Sequence, residues 1–117
     1  MEWVPGKKIY FLSDFHLGAP NQAQSHLREK RLVRFLQNAK KDASAIFIVG
    51  DIFDFWFEYK TVVPKGFVRL LGCLAELSDA GIELHIFTGN HDLWMKNYLI
   101  EELNAKIYFE PAEFTLA

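Results

Sequence analysis

The sequence predicts an α/β fold: a mostly parallel sheet with flanking helices. Three observations predict it. Short β-branched and aromatic runs recur at 7–12 (KKIYFL), 45–49 (AIFIV) and 82–88 (IELHIFT). They are apolar throughout rather than alternating, as strands covered on both faces are. Longer amphipathic stretches lie between them, and a βαβα alternation needs right-handed crossovers to return each strand in parallel.

In chain order, the first run stops at Ser13-Asp14. A helix follows, in which Leu32, Phe35, Leu36 and Ala39 form the apolar stripe and Arg28, Glu29, Arg31 and Arg34 the other face. The second run stops at Gly50-Asp51. The second helix carries Phe67, Leu70, Leu71, Leu74 and Leu77, with Pro64 before it as a start signal and Gly81 after it as a left-handed stop. The third run stops at Gly89-Asn90. A third helix is expected from near Asp92 through Met95 and Leu99 to Leu103, then a strand at 105–109 (AKIYF) and the start of another at 114–116. No repeat, low-complexity tract or linker interrupts residues 1–117, which therefore read as a single unit.

Composition narrows the function. Half of the 117 residues are hydrophobic, 15% are aromatic and 24% charged, which excludes intrinsic disorder. No apolar run is long enough to cross a bilayer, and the amino-terminal segment MEWVPGKKIYFL has no leader-like stretch, so a cytoplasmic location is expected. A single cysteine excludes a disulfide framework and a thiolate zinc cage. A net charge of −2 supplies no basic field for nucleic acid.

The polar residues stand where such a fold gathers ligands, beyond the carboxyl ends of the strands. The first strand ends in Asp14 and His16, the second in Asp51 and Asp54, the third in Asn90, His91 and Asp92. Carboxylate, imidazole and amide oxygen form a mixed set suited to Mn²⁺, Fe²⁺, Zn²⁺ or Mg²⁺. A carboxylate at a central strand end, such as Asp51, can bridge two ions, and two bridged ions suit hydrolysis of a phosphate ester or anhydride. Gly50 and Gly89 let the backbone turn sharply and come close to a ligand. Each feature also has a plainer reading. Asp-x-His triplets arise by chance, Gly-Asp after a strand is often only a turn, and Asn-His-Asp can be a helix cap. Three in order, each closing a strand, favour the metal.

Asp14-x-His16, Gly50-Asp51-x-x-Asp54 and Gly89-Asn90-His91-Asp92 together resemble the pattern of calcineurin-like metallophosphoesterases, over nearly the whole chain. More narrowly, FLSDFHLGAP, GDIFDFWFEYKTVVPKGF and FTGNHDLW are similar to segments of bacterial UDP-2,3-diacylglucosamine pyrophosphohydrolases of lipid A synthesis. The resemblance implies that Asp14 and His16 hold one metal, Asp51 bridges two and Asn90 binds the second. It further implies that His91 faces the substrate phosphoryl group, that Asp92 orients His91, and that Asp54 supports the ligands from behind. The implied cofactor is a pair of divalent ions, Mn²⁺ first among them. The implied reaction is hydrolysis of the nucleotide-sugar lipid to UMP and 2,3-diacylglucosamine 1-phosphate. Rival readings are a phosphoesterase for another mono- or diester and a non-catalytic scaffold.

The family pattern continues with a lone His and a Gly-His-x-His segment, whereas the histidines here are His16, His26, His85 and His91. The chain is therefore expected to be the amino-terminal half of an α/β/β/α sandwich, binding metal weakly and turning over little substrate alone. The sheet face meant for the other half is expected to be open and apolar, which favours a homodimer.

Two further features have two readings each, and the remaining ones read plainly. The aromatic stretch FDFWFEYK either meets acyl chains or the inner membrane surface, or packs its own loop. Arg28, Lys30, Arg31 and Arg34 read as a solvated helix face rather than a headgroup site. His26 is expected to be exposed, His85 to be a core or edge residue, and Cys73 to be a small buried hydrophobe. Trp94 and Met95 are expected to anchor the third helix.

Overall fold

The protein is described by a computed structural model covering residues 5–59, 62–89 and 95–110. The element order is β1 (Lys8–Leu12), α1 (Gln22–Ala39), β2 (Ala43–Val49), α2 (Val68–Asp79), β3 (Glu83–Phe87), α3 (Tyr98–Leu103) and β4 (Lys106–Tyr108). The strands form one sheet in the order β1-β2-β3-β4, and every adjacent pair is parallel. This is the predicted α/β architecture.

A sheet whose strands follow in sequence order, joined by right-handed crossovers, receives all its helices on one face. The buried cluster agrees. Ile46 and Ile48 of β2 and Leu84 and Ile86 of β3 pack with Leu32 and Leu36 of α1, Leu70, Leu74 and Leu77 of α2, and Leu99 and Leu103 of α3. The opposite face carries a row of rings. Phe11 stacks on Phe47 at 5.1 Å between centroids, Phe47 on His85 at 4.4 Å, and Phe87 on Tyr108 at 4.6 Å. At the open edges of that face Phe11 is 67% exposed and Val49 48%.

Asn21 caps α1, its side-chain oxygen accepting from the Gln24 N–H at 2.9 Å, which satisfies one of the first-turn donors. Gly81, at φ 90°, ends the turn after α2 as expected. Several expectations need correction. Glu29 is not on the solvent face of α1. It is buried, and its Oε2 accepts from the Leu70 N–H at 3.0 Å, so a carboxylate joins α1 to the start of α2. Phe35, assigned to the buried stripe, is 42% exposed. His26 is partly buried, with Nδ1 3.9 Å from Glu29 Oε1. The helix expected from near Asp92 begins at Tyr98 within the described residues, and Met95 is buried ahead of it. Cys73 is buried on α2, and burial pushes its thiol pKa up. The expectations for Trp94 and for a strand at 114–116 fall on residues outside the described ones.

Candidate metal centre

The ladder between β1 and β2 does not stop where the strands do. Asp14 N–H donates to the Gly50 carbonyl at 3.4 Å, His16 N–H to the Asp51 carbonyl at 3.0 Å and Leu17 N–H to the Ile52 carbonyl at 3.0 Å. Asp54 N–H returns to the Leu17 carbonyl at 2.8 Å. Leu17 is fully buried, and Phe53 and Trp56 stack beneath the loop at 4.4 Å. These contacts carry the first two ligand-bearing loops away from the sheet as one unit.

The result is a cluster. Asp14, His16 and Asp51 each place a ligand atom within 4.8 Å of the others. His16 Nε2 lies 4.0 Å from Asp14 Oδ1, and its Nδ1 lies 3.6 Å from Asp54 Oδ1. One ring nitrogen therefore faces the acidic group while a carboxylate stands behind the other, the usual way a metal-binding imidazole is oriented.

The backbone at these residues is unusual. Asp14, His16 and Asp51 have φ of 60°, 45° and 52°. A left-handed conformation costs a non-glycine residue about 1–2 kcal/mol, and such strain concentrates where side chains must be aimed at a ligand. All three candidate ligands carry it. Their sequence gives little sign of it: Asp and His enter this region more readily than most side chains, but do not mark it as glycine does.

Gly89 explains another part of the geometry. A Cβ placed there would lie 2.6 Å from both the Cγ and the backbone nitrogen of Asp51. One at Gly50 (φ 79°) would meet the Gly89 Cα at 3.4 Å. The ends of β2 and β3 thus approach backbone to backbone, and Gly89 leaves room for the Asp51 carboxylate. The sequence reading assigned this closeness to a ligand; the structure assigns it first to Asp51.

Asn90, His91 and Asp92 lie outside the described residues, next to Gly89. The aromatic stretch divides between its two readings: Phe53 and Trp56 are buried, while Phe55 (61%), Phe57 and Tyr59 are exposed. Sequence reasoning missed Glu58. Its buried carboxylate accepts from Trp56 Nε1–H at 2.8 Å and from the Tyr98 N–H at 3.0 Å, tying the loop after β2 to the start of α3. It also missed Ser25, whose hydroxyl accepts from the Gly18 N–H at 2.7 Å. No periodicity marks either residue, since both act through contacts distant in sequence or across a loop.

Comparison with known proteins gives a consistent picture. A family model described as Calcineurin-like phosphoesterase matches residues 7–115. A UDP-2,3-diacylglucosamine hydrolase of Porphyromonas gingivalis is 52% identical over 101 residues, covering 86% of this chain and 38% of the relative. One of Nitrosococcus oceani is 29% identical over 103 residues (88% and 39%), and one of Neisseria meningitidis is 36% identical over 93 residues (74% and 34%). The chain thus spans under two fifths of the length of these relatives.

Proposed function

The chain belongs to the calcineurin-like phosphoesterase family, and from that premise we propose that it supplies the ligand-bearing amino-terminal part of a metal-dependent pyrophosphohydrolase. The substrate is UDP-2,3-diacylglucosamine and the products are UMP and 2,3-diacylglucosamine 1-phosphate. Water adds to one phosphorus of the anhydride, the bridging P–O bond breaks, and each product keeps one phosphate. The observation that carries this reading is the convergence of Asp14, His16 and Asp51 at one sheet edge, in a chain about half identical to a relative named for that hydrolysis.

Two carboxylates and an imidazole fit a hard or borderline divalent ion, with Mn²⁺ the first choice. When bound, such ions polarise phosphoryl oxygens and acidify water. Asp14 and His16 would hold one ion, and Asp51, at the end of an inner strand, would serve both. Asp54 fixes the imidazole so that Nε2 is the ligating atom. By the family resemblance Asn90 would complete the second ion's share from this chain, with His91 assigned to the substrate phosphoryl group and Asp92 to the support of His91. Four donors are few for two ions that each take about four to six, so the isolated chain binds metal weakly and turns over little substrate.

Exposed Phe55, Phe57 and Tyr59 support contact of this loop with acyl chains at a membrane surface, on the cytoplasmic side. No helix among the described residues is long and apolar enough to cross a membrane.

The test uses the product of the complete reading frame. Mn²⁺-dependent release of UMP from UDP-2,3-diacylglucosamine is expected, abolished in D51N and absent with UDP-N-acetylglucosamine. Hydrolysis of bis(p-nitrophenyl) phosphate without any of the nucleotide lipid would move the assignment to another phosphoester. No hydrolysis of either would favour a scaffold.

A further inference from the structure

His16 sits at φ 45°, and something must keep it there. Its N–H is bonded to the Asp51 carbonyl at 3.0 Å. Its own carbonyl, on the far side of the residue, accepts from two donors: the Ala19 N–H at 3.2 Å and Nη2 of Arg28 at 2.9 Å. The same Nη2 also donates to the Ala19 carbonyl. Arg28 lies on α1, and the sequence reading placed it on a solvated face. Instead the side chain is half-buried and turns back beside Leu12 and Phe15, under the loop that carries Asp14 and His16. Its Nε is buried and has no hydrogen-bond partner among the described residues. A guanidinium that leaves one donor unsatisfied in order to place another between two carbonyls is held there by geometry rather than by solvation.

We propose that Arg28 is a positioning residue for the metal centre: by bonding the carbonyls of His16 and Ala19 it locks the left-handed peptide of His16, and so sets the imidazole against Asp14 and Asp51 before any ion arrives. The bond is charge-assisted, hence stronger and more directional than a neutral one. It anchors the loop to an 18-residue helix that is itself fixed in the core. Without it the residue relaxes toward extended φ, the ring swings off the cluster, and the ligand set must be reassembled at each binding event. Lysine can replace the charge, but its side chain is one atom shorter, so its ammonium falls short of the point from which Nη2 serves both carbonyls.

The inference rests on the reading of Asp14, His16 and Asp51 as metal ligands, and the experiment separates the two. Mn²⁺ binding is measured by electron paramagnetic resonance on the unaltered chain, H16A, R28A, R28K and R31A. The amide-to-Hα coupling of His16, which reports φ directly, is measured on the metal-free forms. Binding by the unaltered chain that H16A loses establishes the ligand reading. R28A is then expected to bind about 10–100-fold more weakly, as loss of a group supporting a ligand does, with a His16 coupling moved toward extended values. R28K is expected between the two. R31A, three residues along the same helix, is expected to bind as the unaltered chain does. If R28A does not fold, R28K carries the test through the same two readouts. Undiminished affinity and an unchanged coupling in the folded Arg28 variants overturn the proposal. No Mn²⁺ binding by the unaltered chain overturns the ligand reading, and the proposal with it.

Discussion

The two faces of the sheet are built from neighbouring residues of the same strands and differ in almost every respect. Toward the helices β2 presents Ile46 and Ile48, and β3 presents Leu84 and Ile86, all sealed by aliphatic side chains. Away from them the same strands present Phe47, Val49, His85 and Phe87. Here the rings of Phe11, Phe47, His85 and Tyr108 stack on one another across the register, and no second layer covers them among the described residues. Phe47 and His85 are hidden by flanking rings, whereas Phe11 and Val49 at the margin are open. The lesson is that an unbroken apolar strand announces two covered faces, while this chain shows the cover for one.

That contrast yields measurable differences. The largest belongs to the helix side. Ile48→Ala is expected to lower unfolding free energy by about 3 kcal/mol, within the range for emptying a packed site, and urea unfolding will read it. A loss no greater than that of an exposed substitution would erase the distinction between the faces. Gly89→Ala comes next, at the edge where both faces end. The new methyl group meets Asp51 at under van der Waals distance, so a cost of about 1–3 kcal/mol is expected, together with loss of Mn²⁺ binding. Unchanged binding in a folded G89A variant would show that Asp51 has room the structure denies it.

A smaller effect is a pH dependence seated on the ring face. Burial is the main cause that holds the His85 pKa below its ordinary value; its contact with Glu83 works the other way, and Lys106 adds to the lowering. Glu83 can only accept, so His85 Nε2–H faces it at 3.3 Å, and Nδ1 accepts from the Tyr108 hydroxyl at 2.9 Å. The folded state thus prefers the neutral ring. Stability from this group is complete above the ordinary value, near pH 6.5, and is lost as pH falls toward the lower folded value, because the unfolded chain takes up the proton first. H85Q is expected to flatten that acid limb in thermal unfolding; an identical slope in the variant would place the acid sensitivity elsewhere. The smallest change in stability is expected from Phe11→Ser, within about 0.5 kcal/mol as for exposed positions. Its readout is association: we expect the unaltered chain to form a homodimer through this open face, and F11S to shift it to monomer in light scattering. A monomer at high concentration in both would remove the dimer.

Much of this was legible in the residues. Apolar runs ending in Ser-Asp, Gly-Asp and Gly-Asn place the strands and bring Asp14, His16 and Asp51 to one edge, because strand periodicity and parallel topology are local and repetitive. Glu29 was misassigned because its negative charge reads as solvent-facing, whereas its partner, the Leu70 N–H, lies on another helix. Arg28 was misassigned in the same way, by a contact with a loop 12 residues back. The left-handed backbone at the ligands left little trace either, since Asp and His do not mark it as glycine does. What the sequence hid at Glu29 and Arg28 was a bond between a charged side chain and a distant main-chain group.

The parallel pairing that continues past β1 and β2, through Leu17 and back from Asp54, has a consequence for hydrogen exchange. Amides in a surface loop usually trade their protons within seconds to minutes by local opening. Here the N–H groups of His16, Leu17 and Asp54 are engaged above a fully buried leucine. Their deuterium uptake should therefore follow the slow, cooperative opening of the inner strands, making the ligand loops part of the most protected unit of the molecule.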